Sequence, residues 1–315
     1  MPVKIFDAHC DVLCKLLLDP GLDFAHECSL LDVTLPKMLE SGIGTQNFAI
    51  YLPEDLAGQF DLVLKSIELF HERILSNGQL RFIRTKDDLR LAAENKQIGA
   101  LLSLEGVDAL QGNMTYLRTL FYLGVRSVGI TWNHANWAAD GVMEPRKSGF
   151  TAKGLHLIRE CNRLGLILDV SHLAEKGFWE LHELSAKPYI ASHSNAYTVR
   201  PHPRNLRDDQ IAAIIRTGGV IGITFVPPFV HATEPVAMEK LLPHIDHICS
   251  LGGRRHLGLG SDFDGIKEWI VGLEHAGNYQ RFVELLQKHY SEDDVEHLVY
   301  KNWNHFYTNH LPENE

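Results

Sequence analysis

Short apolar runs recur along the chain, and each is bounded by polar, glycine-containing or amphipathic segments. Runs of this length, rich in β-branched and aliphatic residues, are typical of strands. Most are nearly uniform in apolar residues, as expected for strands buried on both faces of a parallel sheet. The pattern predicts eight strands, at residues 3–9, 44–52, 98–105, 125–132, 166–172, 189–193, 219–226 and 256–262.

Amphipathic stretches with apolar residues at helical spacing separate these runs. Two of them, 113–124 and 151–165, end on glycine, a common signal for the end of a helix. The pattern predicts helices at 60–75, 113–124, 151–165, 173–184, 206–219, 236–253, 279–291 and 292–310, the sixth interrupted by Pro243.

The alternation of strands with helices indicates parallel strands joined by crossover helices. Eight such units predict a single-domain (β/α)₈ TIM barrel that spans residues 1–315 and ends in additional C-terminal helices. An open, doubly wound sheet is the alternative. No linker, low-complexity tract or internal repeat indicates a second domain.

Composition narrows the classes of function. The 315 residues are 45% hydrophobic, the formal net charge is −10, and the mean hydropathy is −0.11. We therefore expect a soluble protein with no nucleic-acid partner. No apolar run is long enough to span a bilayer, and neither a signal peptide nor a lipid-anchor tail is recognisable, so no membrane partner is expected. Five unpatterned cysteines favour a reducing, cytoplasmic environment.

Polar residues stand where the predicted strands end, which is the most informative feature of the sequence. They are His9 and Asp11 in DAHCD, Glu105 in SLEG, His172 in DVSH, His193 in ASHS, and Asp262 in GSDFDG. Each alone has an ordinary interpretation, such as a core histidine, a helix cap or a turn carboxylate. In a parallel barrel, however, all these strand ends emerge on one face. Five strand ends of this kind predict a cluster that would be costly to bury without a cation.

Histidines and carboxylates without cysteine suit a divalent first-row metal, zinc above all. One zinc ion with three protein ligands uses only half of the set, so the surplus predicts two ions with a bridging carboxylate. Glu105 is the natural bridge because each of its oxygens can bind one ion. A water molecule held between two ions would lose a proton near neutral pH and act as a nucleophile. Asp7, two residues before His9, is expected to orient a ligand from outside the cluster.

With these residues in view, the chain resembles the membrane (renal) dipeptidase family, peptidase family M19, including its soluble bacterial members. The resemblance extends over nearly the full length. It is carried by DAHCD (7–11), LEG (104–106), DVSH (169–172), SHSNAY (192–197), the pair Arg204-Asn205, and GSDFDG (260–265), in matching order and spacing.

The resemblance implies a barrel of the metal-dependent hydrolase type that holds two Zn²⁺ ions. His9 and Asp11 would bind one ion, His172 and His193 the other, and Glu105 would bridge them. Asp262 would transfer protons, and Arg204 would bind the C-terminal carboxylate of a dipeptide. A homodimer is common among relatives and is a further expectation.

One position departs from the family pattern. Many members have a histidine directly after the threonine that ends strand four, where it polarises the substrate carbonyl. Here that position is Trp132, in the segment GITWNHANW. His134, two residues on, is the candidate substitute, because a shift of two in extended backbone keeps a side chain on the same side. We expect Trp132 and His134 to contact the substrate.

The predicted function is therefore zinc-dependent hydrolysis of dipeptides, L–D dipeptides included, by a hydroxide that bridges the two metals. Two alternatives stay open. One is another binuclear amidohydrolase, acting on a cyclic amide, lactone or phosphoester, although the best-known versions use an H-x-H opening and a carboxylated lysine. The other is a barrel that binds metal without catalysis. An NAD or phosphate enzyme lacks the expected glycine-rich motifs.

Overall fold

The computed structural model describes residues 3–313. Its sheet is parallel, with the strands in the order β6-β5-β4-β2-β1-β8-β7 and with β3 added to β4 outside this path. The strands are β1 (Ile5–Cys10), β2 (Ile43–Tyr51), β3 (Leu80–Phe82), β4 (Ile98–Glu105), β5 (Ser127–Gly129), β6 (Ile167–Asp169), β7 (Ile221–Ile223) and β8 (Leu257–Leu259).

The ring closes through the segment 189–193. This segment makes single parallel bridges, Asp169 to Ile190 on the β6 side and Ala191 to Ile221 on the β7 side. Backbone hydrogen bonds on both flanks support them, from Ile190 N–H to Leu168 and from Ala191 N–H to Val220. The predicted sixth strand is therefore present as a pair of bridges rather than a full ladder, and the predicted (β/α)₈ barrel is confirmed.

Helices cover the outside of the ring and close its lower end. They are α1 (Val12–Leu18), α2 (Leu35–Ser41), α3 (Phe60–Leu69), α4 (Lys86–Glu94), α5 (Met114–Tyr122), α6 (Ala152–Leu164), α7 (Glu175–Leu184), α8 (Asp208–Thr217), α9 (Pro227–Val230), α10 (Leu242–Ser250), α11 (Tyr279–His289), α12 (Glu292–Glu296) and α13 (Asn302–His310). Within residues 3–313 we find no helix with the length and apolar character needed to cross a membrane.

Every predicted helix is present, and local chemistry explains the boundaries. Thr151 caps α6 by accepting a hydrogen bond from Gly154 N–H, and Gly165 ends it in the left-handed conformation at φ 79°. Pro243 does not interrupt α10 as expected. It lies in the first turn, where its missing N–H costs nothing.

The pattern missed one strand and several short helices. β3 is confined to Leu80–Phe82, where Arg81 interrupts the apolar residues. α4 begins with a capping box formed by Thr85 and Asp88, a signal that was present in the sequence. α1 begins directly after Asp11, so the strand that carries the opening polar residues ends at Cys10.

An aromatic cluster fills the lower, N-terminal end of the barrel. Phe6 on β1, Ile167 on β6 and Val220 before β7 pack in one buried cluster with three aromatic side chains of α13, namely Trp303, Phe306 and Tyr307. The Trp303 indole donates a hydrogen bond to the Leu259 carbonyl at 3.0 Å. The polar strand ends therefore face the opposite, open end.

Candidate metal centre

The structure brings the six predicted ligand and acid–base residues together at the open end of the barrel. His9 is the second-last residue of β1, and Glu105 is the last residue of β4. Asp11 lies directly after β1 and precedes α1. His193 is the last residue of the bridging segment, and His172 and Asp262 lie three residues past the ends of β6 and β8. All three histidine rings are nearly fully buried.

The two oxygens of the Glu105 carboxylate face different histidines. Glu105 Oε1 lies 2.9 Å from His172 Nε2 and 3.6 Å from His193 Nε2. These two ring nitrogens are themselves 2.9 Å apart, so both are directed at one point beside Oε1.

Glu105 Oε2 lies on the other side, 3.4 Å from His9 Nε2. The same ring nitrogen is 3.5 Å from Asp11 Oδ2 and 3.9 Å from Asp262 Oδ1. Two groups of ligand atoms are thus arranged about one shared carboxylate. Beside Oε1, the ligand atoms of His172, His193 and Glu105 lie 2.9–3.6 Å from one another. On the other side, His9, Asp11 and Asp262 offer ligand atoms that all lie within 4.8 Å of one another, and so do His9, Glu105 and His193, so the two groups adjoin.

Backbone in the left-handed region places two of these residues. His172 has φ 70° and Asp262 has φ 69°, a conformation that side chains with a Cβ rarely adopt. Such conformations persist where surrounding structure enforces them and are concentrated at functional sites. Here they direct His172 and Asp262 back over the barrel mouth.

Gly265 allows the loop after β8 to approach the carboxylates. A Cβ added there would lie 2.3 Å from Asp11 Oδ2 and 2.7 Å from Asp262 Oδ1. Only a residue without a side chain fits at these distances without displacing a carboxylate.

Hydrogen bonds on the far side of the rings hold two of the histidines in orientation. His172 Nδ1 lies 3.0 Å from Asn133 Oδ1, and His193 Nδ1 lies 2.7 Å from Ser192 Oγ. Partners of this kind fix ring orientation in metal sites. Sequence reasoning did not single out Asn133 or Ser192. The available signal was a polar residue next to a strand-end histidine or at the end of strand four.

Asp7 supports β1 in a way that differs from the expected one. Its Oδ1 accepts hydrogen bonds from the backbone N–H groups of His9 and Ser261, and its Oδ2 accepts one from Ser261 Oγ. The β1–β2 register shifts between Asp7 and Cys10, so the strand is irregular where His9 lies. Asp7 therefore anchors the backbone of His9 and of the β8 loop instead of a ligand ring.

Burial and the neighbouring charges shift the pKa values of the side chains in the cluster in different directions. Burial lowers the pKa of His172 to about 4, and it also holds the pKa of His193 well below its usual value. For His9, burial acts in the same direction, but the Glu105 and Asp11 carboxylates outweigh it and raise the pKa well above its usual value. Burial, followed by the neighbouring Asp11 charge, also raises the pKa of Asp262. The Glu105 and Asp11 carboxylates therefore favour positive charge at His9, where a bound cation would compete with a proton.

The residues fit a divalent metal pair. His9 Nε2 and Asp11 Oδ1 are buried and have no hydrogen-bond partner among residues 3–313, a costly state for polar atoms unless a ligand is bound. Ligand atoms held about 2.0–2.3 Å from a zinc ion lie roughly 3–4 Å apart, which matches the separations measured around both Glu105 oxygens. Imidazole and carboxylate without thiolate also suit Zn²⁺ and its neighbours.

Arg204 lies beside the cluster with unused donors. Its side chain is buried, its guanidinium stacks over the Phe229 ring at 5.5 Å, and Nη2 donates a long hydrogen bond to the His193 carbonyl. Nε has no partner. Burial lowers the pKa of Arg204 to about 10, so the group keeps its charge at neutral pH.

A cavity of about 580 Å³, called the main cavity here, opens above the cluster. Arg204, Asp262 and Glu105 line it, and the segment 226–229 after β7 forms part of its wall. The main cavity therefore presents the shared carboxylate and the guanidinium to the same space.

Trp132 and His134 occupy different places. Trp132 lines the main cavity, with its ring 5.3 Å from that of Tyr51 and 6.1 Å from that of His172. His134 lies farther out, where its Nε2 is 3.6 Å from Glu54 Oε1 and more than half of its side chain is exposed. The structure thus brings Trp132, but not His134, next to the ligand cluster, and carbonyl polarisation by His134 stays a prediction.

Comparison with known proteins gives consistent matches over the whole chain. The model of the membrane dipeptidase family, peptidase family M19, matches residues 2–307. An uncharacterised protein encoded in the pqqA 5′ region of Klebsiella pneumoniae is 33% identical over 261 residues, covering 80% of this chain and 94% of that protein. An uncharacterised dipeptidase of Schizosaccharomyces pombe is 32% identical over 302 residues, covering 88% of this chain and 72% of that protein.

Two solved structures are similar over essentially the full length. Dipeptidase AC, a metallopeptidase of family M19, superposes with a TM-score of 0.91 at 28% identity and covers 100% of both chains. A metallopeptidase from Rhodobacter sphaeroides, liganded with a phosphinate mimic of the dipeptide L-Ala-D-Ala, has a TM-score of 0.91 at 27% identity, covering 99% of this chain and 100% of that one.

Proposed function

The chain belongs to the membrane dipeptidase family, the metallodipeptidases of peptidase family M19, and from that premise we propose that it is a zinc-dependent enzyme that hydrolyses dipeptides, L–D dipeptides included. The observation that carries the proposal is the Glu105 carboxylate, whose two oxygens each face a separate group of ligand atoms. The phosphinate mimic of L-Ala-D-Ala bound by the Rhodobacter sphaeroides relative supports the inclusion of L–D dipeptides.

In this proposal His9 and Asp11 would hold one zinc ion, His172 and His193 would hold the other, and Glu105 would contribute to both sites. Bound divalent cations polarise a carbonyl oxygen and lower the pKa of water, which is the chemistry that amide hydrolysis needs. The hydrogen bonds from Asn133 and Ser192 keep the His172 and His193 rings turned toward the cluster.

Asp262 is the proposed general base and acid. Its carboxylate is largely buried, lies at the edge of the cluster and lines the main cavity, so it can reach both a water molecule and a substrate amide. Burial and the nearby Asp11 raise its pKa, which suits a group that first takes a proton and then gives it to the leaving amine.

Arg204 is the proposed site for the C-terminal carboxylate of the substrate. A buried guanidinium with free donors is well matched to a carboxylate, because two parallel hydrogen bonds form at once. Its place beside the cluster would restrict the enzyme to very short peptides.

The experiment is to load the purified protein with zinc, measure bound metal by elemental mass spectrometry, and assay L–L and L–D dipeptides. We expect about two ions per chain and turnover of at least one substrate series. Asp262→Ala should abolish turnover while retaining at least the ion held by His172 and His193. Full metal occupancy without hydrolysis of any dipeptide would contradict the proposal.

We also propose a cytoplasmic location. All five cysteines, Cys10, Cys14, Cys28, Cys161 and Cys249, are unpaired thiols, which fits a reducing compartment. The homodimer expected from the family resemblance stays a prediction.

A further inference from the structure

A second cavity adjoins the metal centre and is called the side cavity here. Its volume is about 350 Å³, and it shares Tyr51, Glu105 and Trp132 with the main cavity. It lies beside β2, β4 and the loop after β5. Arg204 follows the bridging segment 189–193, three positions from β4 around the ring. A substrate whose carboxylate is held by Arg204 would therefore direct its other end toward the side cavity.

The charges that line the side cavity are unbalanced. Asp108 and Glu54 add two carboxylates to that of Glu105, and of the residues that the structure describes no lysine or arginine lines the cavity. Glu54, at the exposed entrance, is paired with His134.

Asp108 lies deeper and is half-buried. Its Oδ2 accepts a hydrogen bond from Asn136 Nδ2 at 3.0 Å, and within residues 3–313 no cation pairs with it. Partial burial raises the pKa of Asp108, which is the expected result for a carboxylate that lacks a positive partner. A positive charge bound next to Asp108 would offset the free-energy cost of partly burying its unpaired carboxylate.

The remaining wall suits a long, flexible side chain. Leu104, Val63 and Ala109 provide apolar surface, and the Tyr51 and Trp132 rings stand between that surface and the metal centre. Methylene groups pack on such surfaces while a cationic end group reaches a carboxylate, and aromatic faces attract guanidinium and ammonium groups. Trp132, at the position where many family members have histidine, thus forms a wall of this cavity.

We infer that the side cavity binds the side chain of the amino-terminal residue of the substrate and selects a long basic side chain, arginine or lysine, through Asp108. This inference rests on the proposed dipeptidase function, because it specifies which dipeptides the same site prefers. Glu54, being exposed, contributes less to the selection than Asp108.

The test compares L-arginyl-L-alanine with L-citrullyl-L-alanine, whose side chains have nearly the same shape but differ in charge. We expect kcat/KM for the arginyl substrate to be at least about 10-fold higher, since a charge-assisted hydrogen bond in a partly buried site has an effect of this size. In Asp108→Asn the ratio should fall to within about threefold of one. Glu284→Gln, which removes an exposed charge on α11, is the matched control and should leave the ratio unchanged.

The outcomes distinguish failure of the proposed side-chain preference from failure of the proposed dipeptidase function. Equal kcat/KM for both substrates in the unmodified enzyme would overturn the inference and leave the dipeptidase function standing. A ratio that survives Asp108→Asn, with an unchanged melting temperature and metal content, would also overturn it. The same conclusion follows if that variant slows both substrates equally, because Asp108 would then act on the shared part of the substrate. Absence of hydrolysis of any dipeptide by the zinc-loaded protein would instead refute the proposed function.

Discussion

The two ends of the barrel differ in chemistry, because one is built from charged and polar side chains and the other from aromatic ones. At the open end, three carboxylates and three imidazoles converge, and two of their residues have left-handed backbone. At the lower end, Phe6, Trp303, Phe306 and Tyr307 form a buried aromatic cluster. Phe6 and Tyr307 stack at 5.3 Å, and the Trp303 indole N–H is satisfied by a carbonyl.

This difference indicates that the residues that support function lie at the open end, whereas those that contribute most to stability lie at the lower end. The lower end contributes burial of apolar surface, which stabilises without regard to the chemistry above it. The open end is costly to fold without a cation, because its carboxylates repel one another in a water-poor site. Substitutions at the open end should therefore affect activity and metal binding, whereas substitutions at the lower end should affect unfolding.

The largest effect is expected from Glu105→Gln. Loss of the charge on the shared carboxylate removes a ligand from both groups, so kcat/KM should fall by at least about 10³-fold and bound metal should drop. Steady-state kinetics and elemental analysis check this, with Glu284→Gln as the charge-matched control. Retention of both ions and of activity would contradict the assignment of Glu105 as a shared metal ligand at the open end.

Trp303→Ala tests the lower end. The lost aromatic contacts and the cavity left behind should lower the free energy of unfolding by about 3–5 kcal/mol. Urea denaturation measures that change, and the KM of the folded fraction should stay near that of the unmodified protein. Trp303→Phe keeps most of the volume and should cost clearly less. A Trp303→Ala protein of normal stability that cannot bind metal would contradict the separation of the two ends.

Gly265→Ala is a smaller and more local change at the open end. The added Cβ displaces the Asp11 or Asp262 carboxylate, so kcat/KM should fall by about 10²-fold while the melting temperature changes little. Gly58→Ala is the control, because a Cβ there meets no atom within 4 Å. Equal activity of the two variants would show that the loop after β8 does not constrain the carboxylates.

The smallest effect is expected on the outer helical layer, at Glu160 of α6. Arg163, and with it Arg118 of α5, lowers the pKa of Glu160 to about 2. Because the folded-state pKa lies below the unfolded value, this stabilisation is present above about pH 4 and is lost as the pH falls toward 2. Glu160→Gln should cost about 1 kcal/mol at pH 7 and progressively less in acid, as measured by urea denaturation at several pH values. A difference that stays constant with pH would refute the ion-pair explanation.

Much of the fold was predictable because the relevant signals are local. Uniform apolar runs and helical spacing located seven strands, the bridging segment and the principal helices. The pattern missed β3 and the helices α1, α2, α4 and α9, of which α1, α2 and α9 have at most seven residues. The capping box of α4, formed by Thr85 and Asp88, does not by itself predict a helix, because threonine and aspartate are also common in turns.

The identities of His9, Asp11, Glu105, His172, His193 and Asp262 were also evident from sequence, because residues at the ends of parallel strands must share one face. Their separations were not, since distances of 2.9–3.9 Å between residues far apart in the chain depend on how the ring closes. The same closure decided that Asp7 anchors backbone, that Gly265 abuts two carboxylates, and that Trp132 rather than His134 stands beside the cluster. Periodicity determines which residues reach the barrel mouth, whereas register shifts, left-handed backbone and loop packing determine what each side chain meets there.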